Sequence, residues 1–169
     1  MGTVFHRLPS VRVLRFLALA VCALGAGAWL DAGGQPATDI AVVAHPDVPV
    51  DNLTLPELRR LLLGDREFWS SGVRVTLLIR APIARERDAA VQSVCQMTEA
   101  QFRQHWIGKV FRADVPSGPK IVYSTEMALD QVSRLPGAIT FVPIAQVTKN
   151  VKVLKIDGRS PGQAGYKLR

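Results

Sequence analysis

The sequence predicts an α/β domain whose mostly parallel sheet is flanked by helices. Short apolar runs that suit buried strands alternate along the chain with segments whose apolar residues recur every three or four positions, the spacing of one helix face. The composition agrees, because 48% hydrophobic and 21% charged residues in a chain of 169 are typical of a globular domain. Two cysteines exclude a disulfide-rich scaffold.

Five apolar runs are predicted as strands and four segments as helices. The predicted strands are 40–44, 73–79, 121–123, 138–142 and 151–156. The predicted helices are 54–64, 86–97, 98–111 and 124–135. The last strand alternates apolar and polar residues, so we expect it at an edge of the sheet or leaving the domain.

The first predicted helix carries the clearest local signals in the chain. Thr54 is a good cap residue, and Glu57 stands three positions later, where its carboxylate reaches back to the cap amide. Leu53 and Leu58 have the spacing of a hydrophobic staple. Gly64 is suited to end the helix in the left-handed conformation.

The third predicted helix repeats the capping-box spacing at Thr98 and Gln101. An aromatic and aliphatic stripe follows over 102–111. Such a stripe serves either as a ligand platform or as core. Its helical period favours core packing.

The N-terminal segment has the pattern of a secretory signal peptide. Residues 1–15 contain three arginines and no acidic residue, and residues 16–30 carry no charge. As a helix these fifteen residues reach about 22 Å, short of the ~30 Å hydrocarbon core of a bilayer. The small residues at 26–28 fit a cleavage site, so we expect a periplasmic protein. The alternative is an uncleaved N-terminal anchor.

These signals divide the chain into four parts. We expect a signal peptide over 1–28, a flexible leader over 29–38, a folded domain over 39–157 and a polar tail over 158–169. Three of the 21 basic residues and none of the 14 acidic ones leave with the signal peptide, so the net charge falls from +7 to +4. That mild excess requires no nucleic acid and is compatible with anionic ligands.

The chain lacks the motifs of common enzymes and metal sites. No G-x-S-x-G, H-E-x-x-H, C-x-x-C or Gly-rich phosphate loop occurs. His45 and His105 have no second metal ligand at helical or hairpin spacing. Cys95 lies on the apolar stripe of its helix, where burial lowers reactivity. We therefore expect no enzyme activity, no cofactor and no metal.

Four acidic residues are candidates for a catalytic carboxylate pair. They flank arginines, which favours a solvated surface of mixed charge over acid–base chemistry. The four are Asp65, Glu67, Glu86 and Asp88.

Arg80 is the strongest candidate for ligand binding. It ends the second predicted strand, and ligands of open α/β sheets bind beyond the carboxyl ends of strands. A guanidinium there can donate two hydrogen bonds to an oxyanion. Ser124 or Thr125 begins a later helix and offers hydroxyls beside free amides. The alternative is that Arg80 pairs with a carboxylate and that Ser124 or Thr125 only caps the helix.

Three segments in this order carry a family resemblance. They are AVVAHPDVPVDNLTLPELRRLLLGDREFW at 41–69, VTLLIRA at 75–81 and LPGAITFV at 135–142. Together they resemble the phosphate-binding component of bacterial ABC transporters, and more narrowly the short single-lobe members of the type II periplasmic-binding-protein superfamily. The resemblance covers about 40–156 and implies a single binding-protein lobe, with a parallel or mixed sheet flanked by helices.

The resemblance also implies where phosphate would bind. Full-length members close two lobes on the anion, and the matching region is the second lobe with one crossing strand, so we expect the first lobe to be missing. Arg80 falls at the family's arginine position. The family then has an acidic-Gly-Ser-Gly-Thr turn, where this chain has 82–86, PIARE. Ile83 replaces a glycine, Glu86 introduces negative charge, and Thr140 adds bulk in the family's PGAIGY segment.

Two functions follow as expectations. The first is an exported solute-binding-like protein that binds phosphate or another small oxyanion weakly through Arg80, Ser124, Thr125 and Arg85, with Arg87 nearby. The alternative is a periplasmic protein-interaction or regulatory module that reuses the lobe without binding solute. The expected partners are the oxyanion and an ABC permease or another periplasmic protein. We expect no nucleic acid, and membrane contact only through the N-terminal segment.

Overall fold

The computed structural model describes Gly2 and residues 39–169. The predicted signal peptide and leader, apart from Gly2, lie outside the described residues. The strands are β1 (Ile40–Ala44), β2 (Asn52–Leu53), β3 (Thr76–Arg80), β4 (Lys120–Val122), β5 (Ala138–Pro143) and β6 (Lys152–Ile156). The helices are α1 (Leu55–Leu62), α2 (Arg85–Asp88), α3 (Glu99–Phe111) and α4 (Thr125–Arg134).

The six strands form one mixed sheet in the order β2-β6-β1-β5-β3-β4. Three strand pairs are parallel (β2 with β6, β3 with β4, β3 with β5), and β1 runs antiparallel to both of its neighbours. The predicted α/β class is confirmed. The expectation of an edge position for the last strand is wrong, because β6 lies between β2 and β1.

Alternate residues of the central strands enter two separate apolar clusters, as the two-residue period of a strand requires. In β1, Val42 belongs to the larger cluster with α1, the segment after α2 and α3, whereas Val43 faces the smaller cluster that α4 covers. Helices therefore cover both faces of the sheet. Within the described residues, no helix combines the length and apolarity that a membrane crossing requires.

The local helix signals are confirmed where their partners lie within one turn. The Thr54 hydroxyl accepts from the Glu57 amide and the Glu57 carboxylate accepts from the Thr54 amide, which completes the predicted capping box. Thr98 and Gln101 form the second box. Gly64 follows α1 with φ 69°, the left-handed conformation predicted for it.

The predicted helix over 86–97 begins as α2 and continues as a π-helix over Ala89–Val94. Its buried face includes Val91, Val94 and Cys95, as the apolar stripe predicts. The predicted strand at 73–79 begins only at Thr76, because the chain before it turns back so that Phe68 and Arg74 form an isolated bridge.

The C-terminal segment belongs to the packed domain. Tyr166 and Leu168 are buried in the larger cluster. The Tyr166 hydroxyl donates to the Ile40 carbonyl at 2.9 Å, and the Ile40 amide donates to the Leu168 carbonyl at 3.0 Å. Arg169 and Asp39 form an ion pair at 3.3 Å. The domain thus extends to the C-terminus, beyond the predicted boundary at 157, since two apolar side chains anchor a segment that is otherwise polar.

Candidate functional site

The predicted binding residues lie beyond the carboxyl ends of the neighbouring strands β3 and β4. Arg80 is the last residue of β3 and lies opposite Val122, the last residue of β4. The Ala81 amide donates to the Val122 carbonyl at 3.0 Å and holds the two ends together. Ser124 then caps α4, so a guanidinium, a hydroxyl and the first turn of a ten-residue helix lie on the same side of the sheet. We refer to this region as the strand-end site.

Arg80 has a mostly buried guanidinium with unused donors. Its side chain is 17% exposed. Among the described residues, neither Nε nor Nη1 has a hydrogen-bond partner, although both atoms are buried. The nearest carboxylate oxygen, Glu86 Oε2, lies 3.9 Å from Nε, which is an ion-pair distance but too long for a hydrogen bond. Buried donors without partners are costly, so this guanidinium can gain free energy from an oxygen-rich ligand once the side chain turns far enough outward to expose these nitrogens.

Two carboxylates share the surroundings of Arg80. Glu86 is buried in the turn of helix that follows β3. Glu126 lies in the first turn of α4, where its pKa is lowered by its own backbone amide, by the Ser124 hydroxyl and by the Arg80 guanidinium. Glu126 is therefore ionised at neutral pH. Both carboxylates oppose the binding of an anion, and Glu126 is a component of the site that the sequence pattern did not reveal. Its position two residues after the Ser124 cap was the available signal.

The Ser124 hydroxyl is largely occupied by the helix it begins. It accepts from the Met127 amide at 3.0 Å, which is the predicted cap, and it also supports the Glu126 carboxylate. Thr125 is buried in the first helical turn. Both predicted hydroxyl residues lie at the strand-end site, but the oxygen of Ser124 already has structural partners.

The two nearby arginines differ in availability. Arg87 is buried, binds both carboxylate oxygens of Glu99 at 2.8 and 2.7 Å, and donates to the Arg80 carbonyl at 2.9 Å. Its guanidinium carbon also lies 5.7 Å from the centre of the Phe102 ring. Arg87 therefore fixes the end of β3 and has little free capacity for a ligand. Arg85 is exposed at the start of α2 and takes part in no ion pair among the described residues.

The turn after β3 keeps a glycine-like conformation without a glycine. Ile83 has φ 77°, in the left-handed region that a β-branched residue rarely adopts, and its side chain is 95% exposed. Such a conformation costs on the order of 1–3 kcal/mol. This agrees with the expectation that a glycine stands here in the family.

Thr140 is fully buried, with its hydroxyl unpartnered among the described residues.

The remaining candidates have structural contacts. A ring nitrogen of His105 lies 2.9 Å from the Leu63 carbonyl oxygen. His45 Nδ1 accepts from the Asp47 amide at 3.2 Å. Burial raises the pKa of the Cys95 thiol to about 12, so the nucleophilic thiolate is scarce. Across residues 39–169, no three His, Cys, Asp or Glu side chains group closely enough to hold a metal ion.

Two of the acidic residues that suggested a carboxylate pair form ion pairs with separate cations. Asp65 pairs with Lys109 at 2.6 Å, and Glu67 pairs with Arg74 at 3.4 Å. Asp65 and Glu67 belong to the mixed-charge surface that the sequence pattern favours. For Glu86 the expectation of a solvated position is wrong, because that residue is buried.

Comparison with solved structures identifies the fold. A substrate-binding protein of Clostridium perfringens, assigned to phosphate ABC transport and solved with phosphate bound, matches 73% of this chain and 46% of its own, with 20% identity and a TM-score of 0.59. An ABC-type phosphate transport receptor from Vibrio cholerae matches 73% of this chain and 48% of its own (20% identity, TM-score 0.58), and PstS from Borrelia burgdorferi matches 73% and 49% (14% identity, TM-score 0.58). The described domain has the fold of the matching part of these solved structures.

The extent of the match is as informative as its quality. The chain spans about half the length of these solved structures, in agreement with the single lobe that the sequence resemblance implies. At this level of identity the likeness establishes the fold alone. No protein-family model matches the chain, and no curated protein matches it.

Proposed function

We propose that the chain is an exported, non-enzymatic solute-binding-type lobe that binds phosphate or a similar small oxyanion weakly at Arg80. One observation carries the proposal: two buried guanidinium nitrogens of Arg80 lack hydrogen-bond partners among the described residues. Because Nε and Nη1 point to opposite sides of the guanidinium, an oxyanion takes its fork of charge-assisted hydrogen bonds from Nη2 together with one of these two nitrogens. The first turn of α4, which begins at the same edge, adds positive potential.

The neighbouring carboxylates explain why the binding should be weak. A unit charge about 6 Å from a bound anion contributes roughly 3 kcal/mol at an effective dielectric constant near 20. Solvent reduces this value at a partly open site, so we expect Glu86 to weaken oxyanion binding by about tenfold. Glu126 is more exposed and should have a smaller effect.

Calorimetric titration with inorganic phosphate tests the proposal with variants that should change the phosphate affinity in opposite directions. Wild type should bind in the millimolar range, Arg80→Gln should lose the heat of binding, and Glu86→Gln should bind about tenfold more tightly. Arg80→Lys keeps the charge but loses the fork, so its affinity should lie between those of wild type and Arg80→Gln. Arg134→Gln removes an exposed arginine at the far end of α4 and is the matched control.

Two results would refute the oxyanion site. One is the absence of binding heat in both wild type and Glu86→Gln at millimolar phosphate. The other is equal binding by Arg80→Gln and wild type. Circular dichroism establishes that each variant is folded.

A second function, protein interaction at the strand-end site, is favoured by the exposed apolar residues on its rim. Ile83 follows β3 and Tyr123 follows β4, and their exposed fractions are 95% and 72%. Such side chains suit a protein surface better than a small anion. A photo-crosslinking residue placed at Tyr123 should capture a permease or another periplasmic protein, and Ile83→Asp should abolish that product. Equal crosslinking from position 149, an exposed lysine outside this site, would count against this function.

A further inference from the structure

An apolar groove runs along the free edge of the sheet, outside the strand-end site. It has a volume of about 480 Å³ and lies between α3 and β4. We call it the edge groove. Its lining includes Ile79, Phe102, Trp106, Ile107, Val110 and Ile121.

The helix wall of the edge groove exposes apolar surface that the sequence pattern assigned to the core. Phe102 and Trp106 are buried as predicted. In contrast, Ile107, Val110 and Phe111 are 55%, 42% and 90% exposed. Contiguous exposed apolar side chains beside a groove are typical of an interaction surface.

The strand wall is a sheet edge with unused backbone groups. β4 is the terminal strand and pairs only with β3 among the described residues. Since the Val122 carbonyl accepts from the Ala81 amide, the alternation of a parallel ladder directs the amide and carbonyl of Ile121 away from β3. Ile121 is in register with Ile79, and both side chains line the groove. A strand added here would therefore place every second side chain in the edge groove.

The charge along the edge selects the kind of partner. Arg103 lines the groove and Lys120 begins the edge strand, and neither takes part in an ion pair within residues 39–169. A second copy of this chain would bring the same cations against these two and be repelled. An acidic partner would be attracted.

We propose that the edge groove binds an extended segment of another protein, in which apolar residues alternate with acidic residues. The apolar side chains enter the groove, and the backbone pairs with β4. The intervening carboxylates lie on the opposite face of the sheet, which Lys120 shares with Val122, and Arg103 beside the groove adds attraction at longer range. The residues that carry this inference differ from those of the strand-end site, although Arg87 lines the groove and also donates to the Arg80 carbonyl. The inference therefore goes beyond the proposed function and does not depend on the Arg80 side chain.

The test uses the full chain and two synthetic peptides, Ac-EIEIEIE-NH2 and Ac-KIKIKIK-NH2, titrated by calorimetry. Wild type should bind the glutamate peptide and not the lysine peptide. The double variant Arg103→Glu/Lys120→Glu should bind the glutamate peptide roughly tenfold more weakly, because two exposed attractions become repulsions, and should bind the lysine peptide instead. Lys149→Glu makes the same charge change at an exposed position outside the groove and should behave as wild type.

Two further variants test whether the peptide pairs with β4 in the edge groove. Ile121→Pro removes the outward amide without removing a bond to β3, so it should abolish binding while the fold remains intact by circular dichroism. Arg80→Gln should leave peptide binding unchanged, which distinguishes this proposal from the oxyanion proposal. Absence of peptide binding at millimolar concentration would overturn it. Binding unaffected by the charge swap, or a self-association of the full chain that Ile121→Pro abolishes, would also overturn it.

Discussion

The substitution Leu168→Ala tests whether the C-terminal segment is part of the folded domain. Leu168 is fully buried, although it lies one residue from the end of the chain. Its carbonyl accepts from the Ile40 amide, so it also anchors the first strand of the sheet. A polar tail outside the folded domain, the expectation from the sequence, predicts no effect of this substitution.

The magnitude follows from the burial. Truncation of a buried leucine to alanine costs roughly 2–5 kcal/mol, through lost apolar contact and the cavity left behind. We expect about 3 kcal/mol for Leu168→Ala, since a segment near the terminus can partly collapse into the cavity. For a domain of this size, 1 kcal/mol corresponds to roughly 4 °C in Tm, which gives a decrease of about 12 °C.

Urea unfolding followed by tryptophan fluorescence measures the effect. Lys167→Ala is the matched control, because Lys167 is the exposed neighbour of Leu168 and surface substitutions usually change stability by less than about 0.5 kcal/mol. If Leu168→Ala and Lys167→Ala unfold at the same urea concentration, the C-terminal segment does not contribute to the core.

Three further predictions concern buried groups. Arg87→Leu should destabilise the domain by about 2 kcal/mol, because it removes the hydrogen bond to the Arg80 carbonyl and the bidentate pair with Glu99, whose 39% exposed side chain water can still solvate. Arg112→Leu, at an exposed ion pair, should cost less than about 1 kcal/mol, and urea unfolding compares the two variants. Cys95 should resist a thiol reagent at pH 8 in the folded protein and react after denaturation, because burial raises its pKa to about 12; rapid labelling of the native protein would contradict this. The free energy of unfolding should fall as pH rises above about 9. Burial raises the pKa values of Cys95 and Tyr166 in the folded state, so the unfolded chain releases those protons at lower pH than the folded protein does. Each group contributes a slope of up to about 1.4 kcal/mol per pH unit. Denaturation at pH 8 to 11 measures the slope, and the double variant Cys95→Ala/Tyr166→Phe should flatten it; an unchanged slope would show that other groups govern it.

Features whose partners are close along the chain could be predicted from the amino-acid sequence alone. The capping boxes at Thr54 and Thr98 are hydrogen bonds between residues three positions apart, so short-range chemistry is sufficient to predict them. The apolar runs predicted the central strands. Because Arg80 directly follows one of these runs, the sequence also predicted that it lies at the carboxyl end of a strand. The combination of three segments also identified the fold that the solved structures share.

Features that depend on which distant segments meet could be read only from the folded domain. The sheet places β6 inside and docks Tyr166 beside Ile40, since backbone pairing and burial join residues more than a hundred positions apart. It also places Glu126 near Arg80 and leaves the helix wall of the edge groove uncovered. Helical period marks an apolar face, but whether another segment covers that face depends on the packing of the whole domain, because burial is a property of the assembled surface and not of the local sequence.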